Sequence, residues 1–125
     1  MKLTGLTPIL NVSDVEKSLV WFEALGWERG FVWGEDGPGS DDPDFASVQS
    51  GEQEIFLCLD GQGARGVWMS WFLPSRAELD AAYARAVELG CEILLEPTDE
   101  PWGMREFHLR HPDGHVFRVS AAIGS

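Results

Sequence analysis

Cysteine, tyrosine, histidine and basic residues are all scarce in this 125-residue chain, and each scarcity excludes something. The two cysteines, Cys58 and Cys91, are far apart and form no CxxC pair. They read as reduced thiols in a core, as expected for a cytoplasmic protein. No stretch of about 20 apolar residues exists, so no transmembrane helix is expected. The opening "MKLTGLTPIL" has no leader-like apolar core, which also points to the cytoplasm. Nine basic residues stand against 21 acidic ones, a net charge of -12. That balance excludes nucleic acid as a partner, because such binding rests on cationic neutralisation of phosphate. It suits a cationic ligand. One tyrosine contrasts with six tryptophans, which offer large flat surfaces for stacking.

A repeat organises the chain. "LTPILNV" reads as a buried strand and "SDVEKSLVWFEALG" as a helix, with Ser13 and Glu16 spaced as a capping box. Gly26 stands where a helix C-terminus belongs. "WERGFVW" alternates as a strand does. "EDGPGSDDPD", Glu35 to Asp44, is expected as an exposed loop, and "FASVQS" with "EQEIFLCLD" as a hairpin. The second half repeats this order. "GVWMSWFL" is a strand. "SRAELDAAYARAVELG" is a helix opening on a Ser75 and Glu78 box, "CEILLE" is a strand, and two more strands flank "HPDG". Both helices end in Leu-Gly, at Leu25-Gly26 and Leu89-Gly90. The fold class is therefore α+β, two βαβββ modules over 1–60 and 66–123 within a single 1–125 domain. Each module predicts a sheet with a helix on one face. The opposite faces are expected to curl into a cleft.

The stretches "LNVSDVEKSLVWFEALGW", "SRAELDAAYARAVELGCEI" and "EPWGMREFHLRHPDGHVFRV" resemble the vicinal oxygen chelate superfamily, also called the glyoxalase/bleomycin resistance/dioxygenase superfamily. The segment "PWGMREFHLRHPDG" is most similar to the bleomycin resistance branch. The resemblance covers nearly the whole chain. It implies a homodimer, with strand or arm exchange between subunits and two equivalent clefts.

Metal-dependent members of that superfamily hold their ion at defined strand positions. Here the resemblance maps those positions onto Thr7, seven residues before Asp14, onto Trp68, and onto Arg118, four residues after Gly114. Threonine, tryptophan and arginine are not a divalent-metal set. No metal, no cofactor and no catalytic residue is therefore expected. His108, His111 and His115 fall outside those positions. His108 and His111 have opposite strand parity, so they cannot converge on one ion. A surface or turn role is expected for all three. "GQGARG" matches GxGxxG in letters only, because a strand and not a helix follows it.

Strand parity divides the tryptophans. Trp68, Ser70 and Phe72 share the face that the resemblance assigns to the cleft, while Met69, Trp71 and Leu73 face the helix. Trp21 and Trp27 flank the first helix and read as core. The ligand-binding candidates are Thr7, Trp33, Trp68, Trp102, Phe107 and Arg118. Phe107 joins them if the last hairpin pairs symmetrically about Pro112 and Asp113. The expected function is non-catalytic binding of a small aromatic, cationic drug or natural product, whose sequestration confers resistance. The alternative is a metal-dependent glyoxalase, thiol transferase or dioxygenase of the same superfamily.

Overall fold

A computed structural model describes all residues from Met1 to Ser125. The chain divides into two compact units, Met1–Arg65 and Gly66–Ser125.

In the first unit the order is β1 (Ile9–Val12), α1 (Val15–Ala24), β2 (Glu28–Gly34), β3 (Gly37–Pro38), β4 (Phe45–Ser50) and β5 (Gln53–Leu59). The strands form one sheet in the order β1-β5-β4-β2-β3. Only the β1–β5 pair is parallel. Val15, Leu19 and Phe22 of α1 are buried, as are Leu10, Val12, Ala46, Val48 and Leu57 of the sheet. Each such side chain larger than alanine stabilises the unit by about 1.5–3 kcal/mol relative to exposure.

The helix begins one residue later than the Ser13 box implies. Asp14 is the N-cap and accepts a hydrogen bond from the Lys17 amide at 2.9 Å. Glu16 does not reach back to the cap. Arg29 of β2 holds it instead, at 2.9 Å. The loop expected over Glu35–Asp44 contains a short ribbon, β3, paired with Trp33 and Gly34.

The second unit runs β6 (Trp68–Phe72), α2 (Arg76–Glu88), β7 (Glu92–Asp99), β8 (Met104–Arg110) and β9 (Val116–Ala122). Its sheet order is β6-β9-β8-β7, with β6 parallel to β9. Ser75 caps α2 as expected, accepting from the Glu78 amide at 3.2 Å. β7 extends to Asp99 across Pro97, with a register break between Leu95 and Thr98. An edge strand tolerates that proline because no ladder bond need come from its nitrogen. The helix-side core stacks Trp71 on Phe117, ring centroids 4.1 Å apart, and sets Tyr83 of α2 edge-on to Phe107.

The two Leu-Gly ends are the same device. Gly26 (φ 98°) donates to Glu23 O at 3.0 Å and Trp27 to Phe22 O at 3.1 Å. Gly90 (φ 76°) donates to Val87 O and Cys91 to Ala86 O, both at 3.0 Å. This paired closure needs a left-handed residue, which glycine adopts without strain. The units thus repeat βαβββ, the first with the β3 ribbon added.

Candidate functional site

The last hairpin decides which side chains meet. His111 donates its amide to His115 O at 2.8 Å, so the turn holds three residues, Pro112, Asp113 and Gly114. The pairing is therefore centred on Asp113. His108 lies opposite Arg118, and Phe107 lies opposite Val119. One residue of register exchanges the two faces of a strand. Phe107 is thus 1% exposed against Tyr83 on the helix side, and does not share the Arg118 face. His108 takes the place expected for it.

The uncovered face of the second sheet carries a connected group. Trp68 leads it, with Ser70 beside Arg118 and Phe72 beside Ser120 along β9. Glu106, 3% exposed, lies between His108 and Arg118. Arg118 Nη2 donates to both carboxylate oxygens of Glu106 at 3.2 Å. His108 Nε2 lies 3.0 Å from Oε1 of the same carboxylate. The Trp102 indole also acts on Glu106, more weakly. Burial pushes the Glu106 carboxyl up. The hydrogen bonds from His108 and Arg118, the charge of Arg118 and the Trp102 contact outweigh it, so the carboxyl titrates below its ordinary value. Arg118 is thereby neutralised from within the sheet. Its buried Nε has no hydrogen-bond partner. The Trp68 and His108 rings meet edge to face, centroids 5.8 Å apart.

Aromatic surface surrounds this polar centre. Trp68 is 57% exposed, Trp102 58% and Phe72 73%. Trp68 and Phe72 share one sheet face, and grouped exposed apolar rings mark an interaction surface. Trp21 and Trp27 instead pack edge-on against Phe22. The division of the tryptophans by parity therefore holds.

Thr7 and Trp33 lie in the first unit. Thr7 is half-buried just ahead of β1, and Trp33 is 52% exposed on β2. Around Trp33 the first sheet has its own aromatic face. Phe31, Phe45 and Phe56 form a trio with centroids 5.4–5.7 Å apart. A bulge in β2 lies beside Phe31. Ser47 Oγ accepts the Phe31 amide at 3.1 Å, and a Cβ on Gly30 would stand only 2.0 Å from that oxygen. The close approach explains the glycine. Phe31 stands two residues before Trp33, so strand parity places it on the same face. Phe45 and Phe56 were open to the same parity rule.

The other two histidines are buried, not at the surface. His111 is 1% exposed and His115 is fully buried. Their turn role holds. His111 Nδ1 accepts the Asp113 amide at 3.0 Å, closing the turn. His115 Nδ1 accepts the Val67 amide at 3.1 Å and so ties β6 to β9 just before Trp68. Burial holds the His111 pKa at about 4, against the smaller upward pull of Asp113 and with a further downward push from His115.

No group of three or more His, Cys, Asp or Glu side chains is placed to hold a metal ion. At the positions that bind metal in superfamily enzymes, Trp68 presents an indole and Arg118 a guanidinium already bound to Glu106. That donor set does not fit a divalent cation.

Comparison with known proteins agrees with this architecture. The family profile described as the Glyoxalase/Bleomycin resistance protein/Dioxygenase superfamily matches residues 5–119. No curated protein matches the sequence significantly. Among solved structures, TioX from Micromonospora sp. ML1 superposes with a TM-score of 0.82 at 16% identity, covering 96% of this chain and 99% of that one. A superfamily member from Sphaerobacter thermophilus gives 0.74 at 26% identity, with 96% and 98% covered. A bleomycin resistance determinant encoded on the transposon Tn5 gives 0.70 at 20% identity, with 97% and 99% covered. With two βαβββ units in the chain and the profile spanning nearly all of it, this protein belongs to the glyoxalase/bleomycin resistance protein/dioxygenase superfamily.

Proposed function

We infer that the protein binds a small aromatic, cationic drug or natural product without altering it. The observation that carries this reading is Trp68, an indole 57% exposed on the uncovered sheet face and flanked by a self-neutralised polar centre. An indole offers stacking surface and cation–π attraction but no nucleophile, acid or metal ligand. Arg118 would repel a cation if it were free. Its pairing with Glu106 removes that objection. The net charge of -12 draws a cation in. Trp102 and Phe72 extend the apolar surface. The structural likeness to a bleomycin resistance determinant is in keeping with sequestration as the route to resistance.

The working form in this reading is a homodimer. Both sheets have a face not covered by their helix, and the exposed rings of each are a liability unless another surface covers them.

A thermal-shift screen of planar aromatic compounds, bleomycin-type antibiotics included, tests the reading. A ligand at a hundredfold excess over its Kd should add about 2.7 kcal/mol of stability. No shift with any planar cation, or a chemically altered compound recovered after incubation, would contradict it.

A further inference from the structure

The polar centre beside Trp68 fixes the hydrogen-bonding character of any molecule lying there. An ionised carboxylate only accepts hydrogen bonds. Glu106 therefore requires a proton on each nitrogen that touches it. His108 Nε2, 3.0 Å from Oε1, must carry one. In the neutral ring that leaves Nδ1 as a lone-pair acceptor. Nδ1 takes no part in the contact to Glu106, and the ring stands edge-on to Trp68.

Arg118 is fixed in a complementary way. Nη2 serves both oxygens of Glu106, and Nε is buried. The side chain is nonetheless 39% exposed. Nη1, which is not engaged with Glu106, remains a donor at its outer end. His108 and Arg118 are register partners, and both contact the same Oε1. His108 and Arg118 thus stand side by side, held by a single buried carboxylate, next to an exposed indole.

We propose that this pair reads a carboxamide-type edge: an N–H donating to His108 Nδ1 beside a carbonyl oxygen accepting from Arg118 Nη1, on an aromatic ring system stacked upon Trp68. The proposal rests on the binding function inferred above and narrows it to aromatic carboxamides and ring systems with an equivalent adjacent N–H and C=O. Glu106 is the positioning residue, since it touches no ligand and sets both partners.

The test uses two probes on one ring system, of which only the first has an N–H: naphthalene-2-carboxamide and methyl naphthalene-2-carboxylate. Tryptophan fluorescence titration of the full chain should give about tenfold tighter binding of the amide, the worth of one added hydrogen bond. In His108→Phe the ratio of amide to ester affinity should fall to within about twofold. Equal affinities in the wild type, or a preference that survives in His108→Phe, would overturn the proposal. A measurement on the unmutated protein guards against a misfolded variant. In protein labelled with ¹⁵N-histidine, His108 should show the Nε2–H tautomer, and its Nδ1 resonance should move with the amide but not the ester. A proton found on Nδ1 and not on Nε2 would equally overturn it. The two readings fail differently. If Trp68→Ala weakens both probes while the amide and ester bind alike, only the carboxamide proposal fails. If neither probe binds the wild type, the carboxamide proposal fails, and the binding reading fails with it only when planar cations also give no thermal shift.

Discussion

His108 and Arg118 face each other across β8 and β9 and hold the same oxygen, Oε1 of Glu106, at 3.0 and 3.2 Å. A buried carboxylate that accepts from two side chains is costly to remove, because the donors are left without an acceptor. Glu106→Ala should destabilise the protein by about 2–3 kcal/mol, less than a wholly buried pair because Arg118 is 39% exposed. Urea denaturation measures this. A midpoint unchanged from the wild type would show that the network is not structural.

The same carboxylate gives a pH signature. Its folded pKa lies below the ordinary 4.5, so its stabilisation is present above 4.5 and is lost as pH falls through the folded value. Glu106→Gln should lose this part of the acid limb. An acid limb identical to the wild type would contradict the assignment.

His111 acts in a higher window. Its folded pKa of about 4 lies below the ordinary 6.5. The unfolded chain then binds the proton first. Stability from a neutral His111 is full above pH 6.5 and falls progressively toward pH 4. The loss across that window should approach about 3 kcal/mol. Denaturation midpoints of wild type and His111→Gln between pH 7 and 4 check this. The variant should show the flatter profile, and parallel profiles would refute the burial argument.

The repeat and both helices were legible from the sequence, because capping residues, Leu-Gly ends and apolar spacing agree locally. Asp14, not Ser13, is the cap, and Glu16 pairs with Arg29, a partner 13 residues away that no local pattern displays. The site was legible in part. Parity separated exposed Trp68 from packed Trp71. Phe107 and His108 exchanged places because the turn holds three residues, and "HPDG" alone does not reveal where the ladder closes. Once the closing pair His111–His115 is known, the Glu106, His108, Arg118 group follows from period-two spacing. The burial of His111 and His115 was hidden because their acceptor role depends on Val67 and Asp113 amides.

Metal retention bears on the alternative of an enzyme. With Thr7, Trp68 and Arg118 at the superfamily's ligand positions, untagged protein should keep no near-stoichiometric zinc, iron, nickel or manganese after dialysis. Elemental analysis decides this. A retained equivalent of metal that is lost in a Thr7 or Arg118 variant would move the protein toward the enzymes.

Sedimentation at micromolar concentration should give about twice the 13.9 kDa chain mass. A stable monomer would remove the homodimer from the functional reading.

The central claim is that the Trp68 indole is the stacking surface for an aromatic ligand. Fluorescence titration of wild type and Trp68→Ala with a planar cationic compound, bleomycin-type antibiotics first, tests it most directly. Trp68→Ala should weaken binding by about 1–3 kcal/mol, with the ligand recovered unchanged by mass spectrometry. Equal affinity in the two proteins would contradict the claim.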